Sequence, residues 1–510
     1  MKKKVFFLNA AFLTATSLIT RTIGISFRVF MSNKIGAEGI GLYSLIGTVY
    51  FFAATVSTSG ITLVVTRLVT DCIATGKRGA VKTILRKCFF TSLILSCAAG
   101  VCLYFFSVPI SIGFLHDKRA VLSLKILAPG LPFMAVSACF RGYFFARRTV
   151  IKTASEQLIE QLLEIIVFVI IISSFSGGGV ELACCAIVIG TTVAEVASSF
   201  YSYALYKLDI RKISEKPAPA PGFIKKALSI GIPVTLSSTL RSGLSMIENA
   251  LIPVGFKKYG VSEKTALSDY GILTGMVMPV LFFPSVFLFS FSQLMIPEMS
   301  EAKAHNHTKG ISYMATRIFR IALFFSIPTA GVFFALSKQL GQLIYGSSDI
   351  GVYIGILAPI VPLVYLDSVV DGMLKGLNEQ LHYLSYNIID SVLRVTLIFF
   401  LVPKYGIKGL ITVMFISAIV NSGLSMMRLI KVAKVHLNVI DWILKPLICV
   451  GAAAALVTRL FNSHTVLQIV IIILLYVLFM LIFRGIKKEE INWIKSFVRK
   501  RRKKPDVHTS

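Results

Sequence analysis

Charged side chains recur inside stretches of this sequence that are otherwise apolar. Arg21, Arg28, Arg141, Glu160, Glu164, Glu195, Arg241, Glu248, Asp367, Asp371, Asp390 and Arg394 all sit in such surroundings. At the centre of a lipid bilayer each would cost about 3 kcal/mol on insertion scales, so each needs a partner, a wet cavity or a ligand. Arg21 and Arg241 are the most telling by type. A guanidinium matches phosphate through paired, charge-assisted hydrogen bonds, so these two with Arg28 read as a clamp for a diphosphate headgroup. The alternative is structural pairing with Glu248, Glu160 or Glu164, and for Arg28, nearer a span end, pairing is favoured. Glu160 and Glu164 are one helical turn apart on one face. They read either as a site that binds a proton or cation, or as structural partners, Glu164 pairing with Arg394 or Arg141. Asn387 and Asp390 offer oxygen ligands suited to Na⁺.

The elements that carry these residues are apolar runs of about twenty residues, the length a helix needs to cross the hydrocarbon core. Hydrophobic residues make up 55% of the 510 residues and charged residues only 15%, and the mean hydropathy is +0.78. Backbone polar groups in lipid must be satisfied within the segment, which makes the runs helices. The sequence therefore predicts an all-α integral membrane protein of about fourteen transmembrane helices, arranged as two parallel six-helix repeats plus two C-terminal helices. Lys2-Lys3-Lys4 followed by an apolar run imitates a signal peptide, but the run from Val5 to Phe30 is too long for one.

Several function classes fall away. A net charge of +29 suggests nucleic acid, yet no loop is long enough to hold a binding domain. No GxxxxGK[ST] loop exists to power the chain with ATP, and Thr75-Gly76-Lys77-Arg78 does not supply one. The histidines and eight cysteines show no metal-ligand spacing. No metal or organic cofactor is expected, only Na⁺ or proton coupling, and no catalytic loop motif points to an enzyme.

The basic residues set topology instead. With the N-terminus in the cytoplasm, most Lys and Arg fall on cytoplasmic loops, and an even number of spans returns the C-terminus to the same side. The run Arg499-Lys500-Arg501-Arg502-Lys503-Lys504 then reads as an anchor at anionic headgroups.

A repeat organises the chain. Ile126-Leu127-Ala128-Pro129-Gly130-Leu131-Pro132 returns as Ile356-Leu357-Ala358-Pro359-Ile360-Val361-Pro362, displaced by 230 residues. The same displacement pairs Gly142 with Gly372, Gln157 with Asn387, and Glu160 with Asp390, while Arg21 pairs with Arg241 at 220. Pro129, Pro132, Pro359 and Pro362 each remove a backbone hydrogen bond and predict bends in equivalent helices. The expected organisation is a lobe over 1–212, a cytoplasmic linker over 213–226, a second lobe over 227–435, two further spans over 436–484 and a basic tail over 485–510. Parallel repeats place a substrate path at their interface.

Thr20-Arg21-Thr22-Ile23-Gly24-Ile25-Ser26-Phe27-Arg28, then Ile35-Gly36-Ala37-Glu38-Gly39-Ile40-Gly41-Leu42-Tyr43, resembles the opening of the polysaccharide-export and stage V sporulation protein B group. Arg141-Gly142-Tyr143-Phe144 and Pro297-Glu298-Met299-Ser300-Glu301 look like further signatures of it, and the likeness covers nearly the whole chain. The resemblance implies the fold of the multidrug/oligosaccharidyl-lipid/polysaccharide exporters, two six-helix lobes around a cavity with two added helices. It also implies a lipid-linked saccharide as cargo, the bilayer as surroundings and cell-wall synthases as partners. Lipid II flippases are relatives whose first-helix arginines are implicated in handling the lipid diphosphate, and Arg21 and Arg28 match those positions. The interval between them is one residue longer than in typical lipid II flippases, which favours the sporulation and polysaccharide branch, linked to spore cortex peptidoglycan. Two other readings stay open: a cation-coupled drug or metabolite exporter, and a non-transporting membrane scaffold for cell-wall enzymes.

Overall fold

A computed structural model describes residues 2–174, 179–211, 215, 218–219, 222–435, 438–460, 464–483 and 485. The described residues are helices and short connections. We number the principal helices α1 (Lys2–Ala74), α2 (Arg78–Phe105), α3 (Ala120–Leu127), α4 (Gly130–Ala146), α5 (Val150–Ser174), α6 (Val180–Ile210) and α7 (Phe223–Tyr259). There follow α8 (Glu263–Tyr270), α9 (Ser285–Ala304), α10 (Thr308–Ala335), α11 (Ser337–Tyr345), α12 (Ser348–Leu357), α13 (Val361–Gly376), α14 (Gln380–Ala433), α15 (Lys445–Leu460) and α16 (Thr465–Ile482). From α8 the chain runs on without a loop through a π-helical stretch, Gly271–Val277, into Met278–Phe282.

Among the described residues, ten helices are long and apolar enough to cross a membrane, or eleven if α3 and α4 form one bent span. That is fewer than the about fourteen read from hydropathy. Part of the difference is physical. At 1.5 Å per residue, α1 with its 73 residues is about 110 Å long, far more than one crossing needs. It is broken at Gly36, where φ is 71° and ψ 177°, and α14 is broken likewise at Gly406 with φ 57°. Only glycine takes such angles without a Cβ clash. Both breaks fall between spans that hydropathy predicts, 5–31 and 40–66 in α1 and 385–402 and 408–430 in α14, so each helix contains two of them. The seventh span that hydropathy predicts, 227–254, lies in α7, which carries Arg241, Glu248, Pro233 and Pro253 and is not among the ten.

The repeat register is written into the backbone. α2 and α10 are both 28 residues long and start 230 residues apart. Left-handed turns pair in the same register: Gly76 (φ 75°) with Asn306 (52°), His116 (56°) with Gly346 (66°), and Arg148 (58°) with Asn378 (59°). Thr62 donates to the Ala138 carbonyl at 3.1 Å, and Ser292, 230 residues on, donates to the Ser368 carbonyl at 3.2 Å. At the proline motif, α3 and α4 meet at an angle of 43°. Its counterpart passes from α12 to α13 through a 3₁₀ turn, Ala358–Ile360. Pro132 and Pro362 both lie in the first turn of the following helix, where no intrahelical N–H bond is lost.

Over the described residues, contacts divide the chain into two compact units. The first is Met1–Ser290 with Leu384–Asn421, and the second Phe291–Tyr383 with Ser422–Ser510. A core of the first packs Val65, Val69, Val81, Leu85, Tyr143 and Phe144 between α1, α2 and α4. In the second, an apolar groove of about 1000 Å³ is lined by Pro359 and Pro362 together with Phe319, Trp442 and Val450. Of the expected linker, Glu215 accepts a hydrogen bond from the Gly79 amide at 2.7 Å. The basic run of the tail lies outside the described residues.

Candidate functional site

The intramembrane charges of the first unit fall into two classes. Five arginines are involved, and two of them are matched. Arg141 of α4 pairs with Glu156 of α5 at 3.0 Å, with Glu156 wholly buried. Arg394 of α14 pairs with the buried Glu248 of α7. Arg21 and Arg28 of α1 and Arg241 of α7 are exposed, and among the described residues none has a carboxylate partner. The Arg21 guanidinium stands 5.8 Å from the ring centroid of Phe289, a cation–π contact that leaves its N–H fork open.

These pairings correct two expectations. Arg394 and Arg141 meet Glu248 and Glu156, not Glu164. The helix explains why: Glu156 and Glu164 are two turns apart, about 12 Å along α5, so a side chain level with one does not reach the other. Glu248 is likewise taken by Arg394 and not by Arg21 or Arg241.

Glu156, Glu160 and Glu164 follow at intervals of four and share one face of α5. Glu160 faces Ser198 of α6 and is within electrostatic reach of Arg141. Glu164 accepts from the Thr191 hydroxyl at 2.8 Å and lies within electrostatic reach of Arg28. Glu195 of α6, 5% exposed, accepts from the Tyr50 hydroxyl of α1 at 2.5 Å. Room for that contact comes from Gly130, the first residue of α4, where any Cβ would overlap the Glu195 carboxylate. The break at Pro129 thus delivers a glycine to a polar contact between three helices. Farther along, Asp390 accepts from Ser417 at 2.7 Å. Asn387 lies one turn before Asp390 on α14, its carbonyl receiving the Ser391 hydroxyl at 2.9 Å.

Sequence reasoning passed over Glu156, which sits at a span edge, although its four-residue spacing from Glu160 signals the shared face. Tyr50 and Thr191 carried no signal of their own, because a hydroxyl that serves a carboxylate on another helix has no local spacing. Among the described residues no three His, Cys, Asp or Glu side chains are grouped to hold a metal ion. The arrangement offers unmatched guanidinium groups for an anion and an acidic, hydroxyl-lined helix face for a proton or small cation.

Several known proteins are similar to this chain. Stage V sporulation protein B of Bacillus subtilis (strain 168) is 25% identical over 509 residues, covering 97% of this chain and 98% of that protein. The lipid II flippase MurJ of the same organism is 22% identical over 410 residues, covering 76% of this chain and 75% of MurJ. A solved structure of lipid II flippase MurJ in an inward closed conformation shares the fold, with a TM-score of 0.68 at 16% identity over 92% of this chain and 98% of that one. The model of the polysaccharide biosynthesis protein family matches residues 7–303. The chain is a multi-pass membrane protein, and it belongs to the polysaccharide biosynthesis protein family.

Proposed function

We propose that this chain is a flippase that carries a lipid-linked saccharide from the inner to the outer leaflet of the cell membrane. Arg21, Arg28 and Arg241 would hold the diphosphate of the headgroup, while the isoprenoid tail stays in lipid. The cargo we favour is the undecaprenyl-diphosphate precursor of peptidoglycan, as used for spore cortex, handed on to cell-wall synthases. Both termini would lie in the cytoplasm. The cavity would open alternately to each side between the lobes 1–212 and 227–435.

One observation carries this reading: among the described residues Arg141 and Arg394 are hydrogen-bonded to carboxylates, while Arg21, Arg28 and Arg241 are not. Unpaired guanidinium groups on membrane helices are costly unless an anion uses them. Names among the relatives, a lipid II flippase and a sporulation protein, support the choice of cargo. Glu160 and Glu164, with Asn387 and Asp390, are the groups we assign to proton or Na⁺ coupling.

The acidic face of α5 also favours a second reading, cation-coupled export of a drug or metabolite. Reconstitution separates the two. Liposomes holding the protein and a fluorescent undecaprenyl-diphosphate saccharide should show transfer to the far leaflet, lost in Arg21→Ala and Arg241→Ala. Unimpaired transfer in both variants refutes the clamp. Movement of an organic cation without the saccharide lipid establishes the exporter instead.

A further inference from the structure

α1 and α5 run side by side in the same direction. Phe27 and Phe30 meet Phe168 edge-on, with ring centroids 5.4 and 6.1 Å apart, and nearer the start of both helices Gly24 meets Gln161. A Cβ on Gly24 would stand 3.0 Å from the Gln161 amide nitrogen, so the glycine lets the carboxamide lie against the α1 backbone. Gly24 is three residues after Arg21 and four before Arg28, which puts all three on one face of the helix. The Gln161 carboxamide therefore lies between the turns that carry two of the exposed arginines.

The Gln161 side-chain oxygen is buried and, among the described residues, has no hydrogen-bond partner. The same holds for the hydroxyl oxygen of Thr20, one turn before Gly24. A buried acceptor left unpaired costs free energy, so it calls for a reason. The repeat shows that the fold does not demand it. In the second copy the place of Gln161 is taken by Ser391, whose hydroxyl is paired with the Asn387 carbonyl at 2.9 Å, and that of Gly24 by Leu244. A diphosphate held by Arg21 and Arg28 would not satisfy the oxygen either. A carboxamide oxygen only accepts, and an ionised diphosphate has no hydrogen to give it. The group that completes this site brings a hydroxyl or an amide N–H, and brings it next to the anion.

We infer that Gln161 is the residue that reads the sugar joined directly to the diphosphate, its side-chain oxygen accepting from a hydroxyl or acetamido N–H of that sugar. Arg21 and Arg28 hold the neighbouring diphosphate, and Gly24 sets how deep the carboxamide sits. The inference rests on the transport reading above and narrows it from any diphosphate lipid to a glycosylated one. A site built this way separates the loaded carrier from the bare carrier diphosphate, which brings the anion but no sugar donor.

The test is equilibrium binding to the purified full chain in nanodiscs with two probes, each labelled at the isoprenoid end: undecaprenyl diphosphate, and the same lipid carrying one N-acetylglucosamine. Gln161→Met keeps the length of the side chain and removes the acceptor. It should weaken the glycosylated probe about fivefold, the loss of one hydrogen bond of ordinary net strength, and leave the bare lipid unchanged. Arg21→Ala should weaken both. Without ligand, Gln161→Met should melt no lower than wild type, because it removes an unpaired buried acceptor; a lower melting temperature marks a structural role and overturns the inference. Gly24→Ala, whose methyl presses on the Gln161 amide, should act in the same direction, and it decides the matter if Gln161→Met does not fold. Equal weakening of both probes, or no change in either, overturns the sugar reading and leaves the diphosphate clamp standing. Wild-type protein that binds neither probe overturns the transport reading, and this inference with it.

Discussion

Replacing Arg141 with alanine should cost stability and spare transport, the reverse of replacing Arg21. Arg141 holds Glu156 at 3.0 Å, and Glu156 has no exposed surface while Arg141 keeps 19%. Among the described residues the second carboxylate oxygen of Glu156 has no hydrogen-bond partner, so the Arg141 guanidinium is its main compensation. Breaking a buried pair by removing one member costs about 3–5 kcal/mol, and the partial exposure of Arg141 puts the value near the lower end. Replacing both members with apolar residues removes the stranded charge, so Arg141→Leu/Glu156→Leu should lie within about 1 kcal/mol of wild type. The assay is a double-mutant cycle on reversible unfolding in mixed micelles, with transport per folded molecule measured in parallel. Additive single and double variants would refute the pairing. Lost transport in fully folded Arg141→Ala would refute the division into matched and unmatched arginines.

Two further outcomes follow from local geometry. Gly130→Ala places a methyl against the Glu195 carboxylate and the Tyr50 hydroxyl, and overpacking there should lower stability by about 1–3 kcal/mol, read as a fall in melting temperature. On the loop between α13 and α14, partial burial of Glu379 raises its carboxyl's affinity for protons, but the Arg428 hydrogen bond and charge, with His382, outweigh it and hold the group below the ordinary carboxylate range. A depressed carboxyl gives stability that is present above its unfolded value of about 4.3 and lost as pH falls through the lower folded value. The melting temperature should therefore fall on acidification below about pH 4.3, and Arg428→Gln should flatten that fall; an unchanged acid branch would refute the assignment.

Much of the fold was legible because the membrane imposes it. Apolar length gave helices, and the breaks at Gly36 and Gly406 lie where hydropathy separates spans. The repeat was visible at Pro129 and Pro359, and its 230-residue register recurs in turns such as His116 and Gly346 that share no side-chain chemistry. That part could not be read, since a left-handed turn is a backbone property that several residue types tolerate. Which charges pair was also hidden. Arg394 and Glu248 lie 146 residues apart, and rotation of each helix about its axis, set by packing, decides who meets whom. The contact between Gly24 and Gln161 was equally silent, because a glycine reports its purpose only when the opposing side chain is in place.

The pairing of Glu248 with Arg394 bears on biogenesis. α7 is synthesised first, and its carboxylate has no arginine until 146 more residues have left the ribosome. At the usual rates of synthesis that interval is roughly 7–30 seconds. During it Glu248 lies in or beside the membrane without its counter-ion, so the nascent chain has reason to linger at the insertion machinery or to carry a proton there. The first compact unit likewise closes only when Leu384–Asn421 arrives. Truncation before α14 therefore does not yield half of a finished protein. It leaves a chain whose earlier helices still await their last members, and the quality-control proteases of the membrane would meet it in that state.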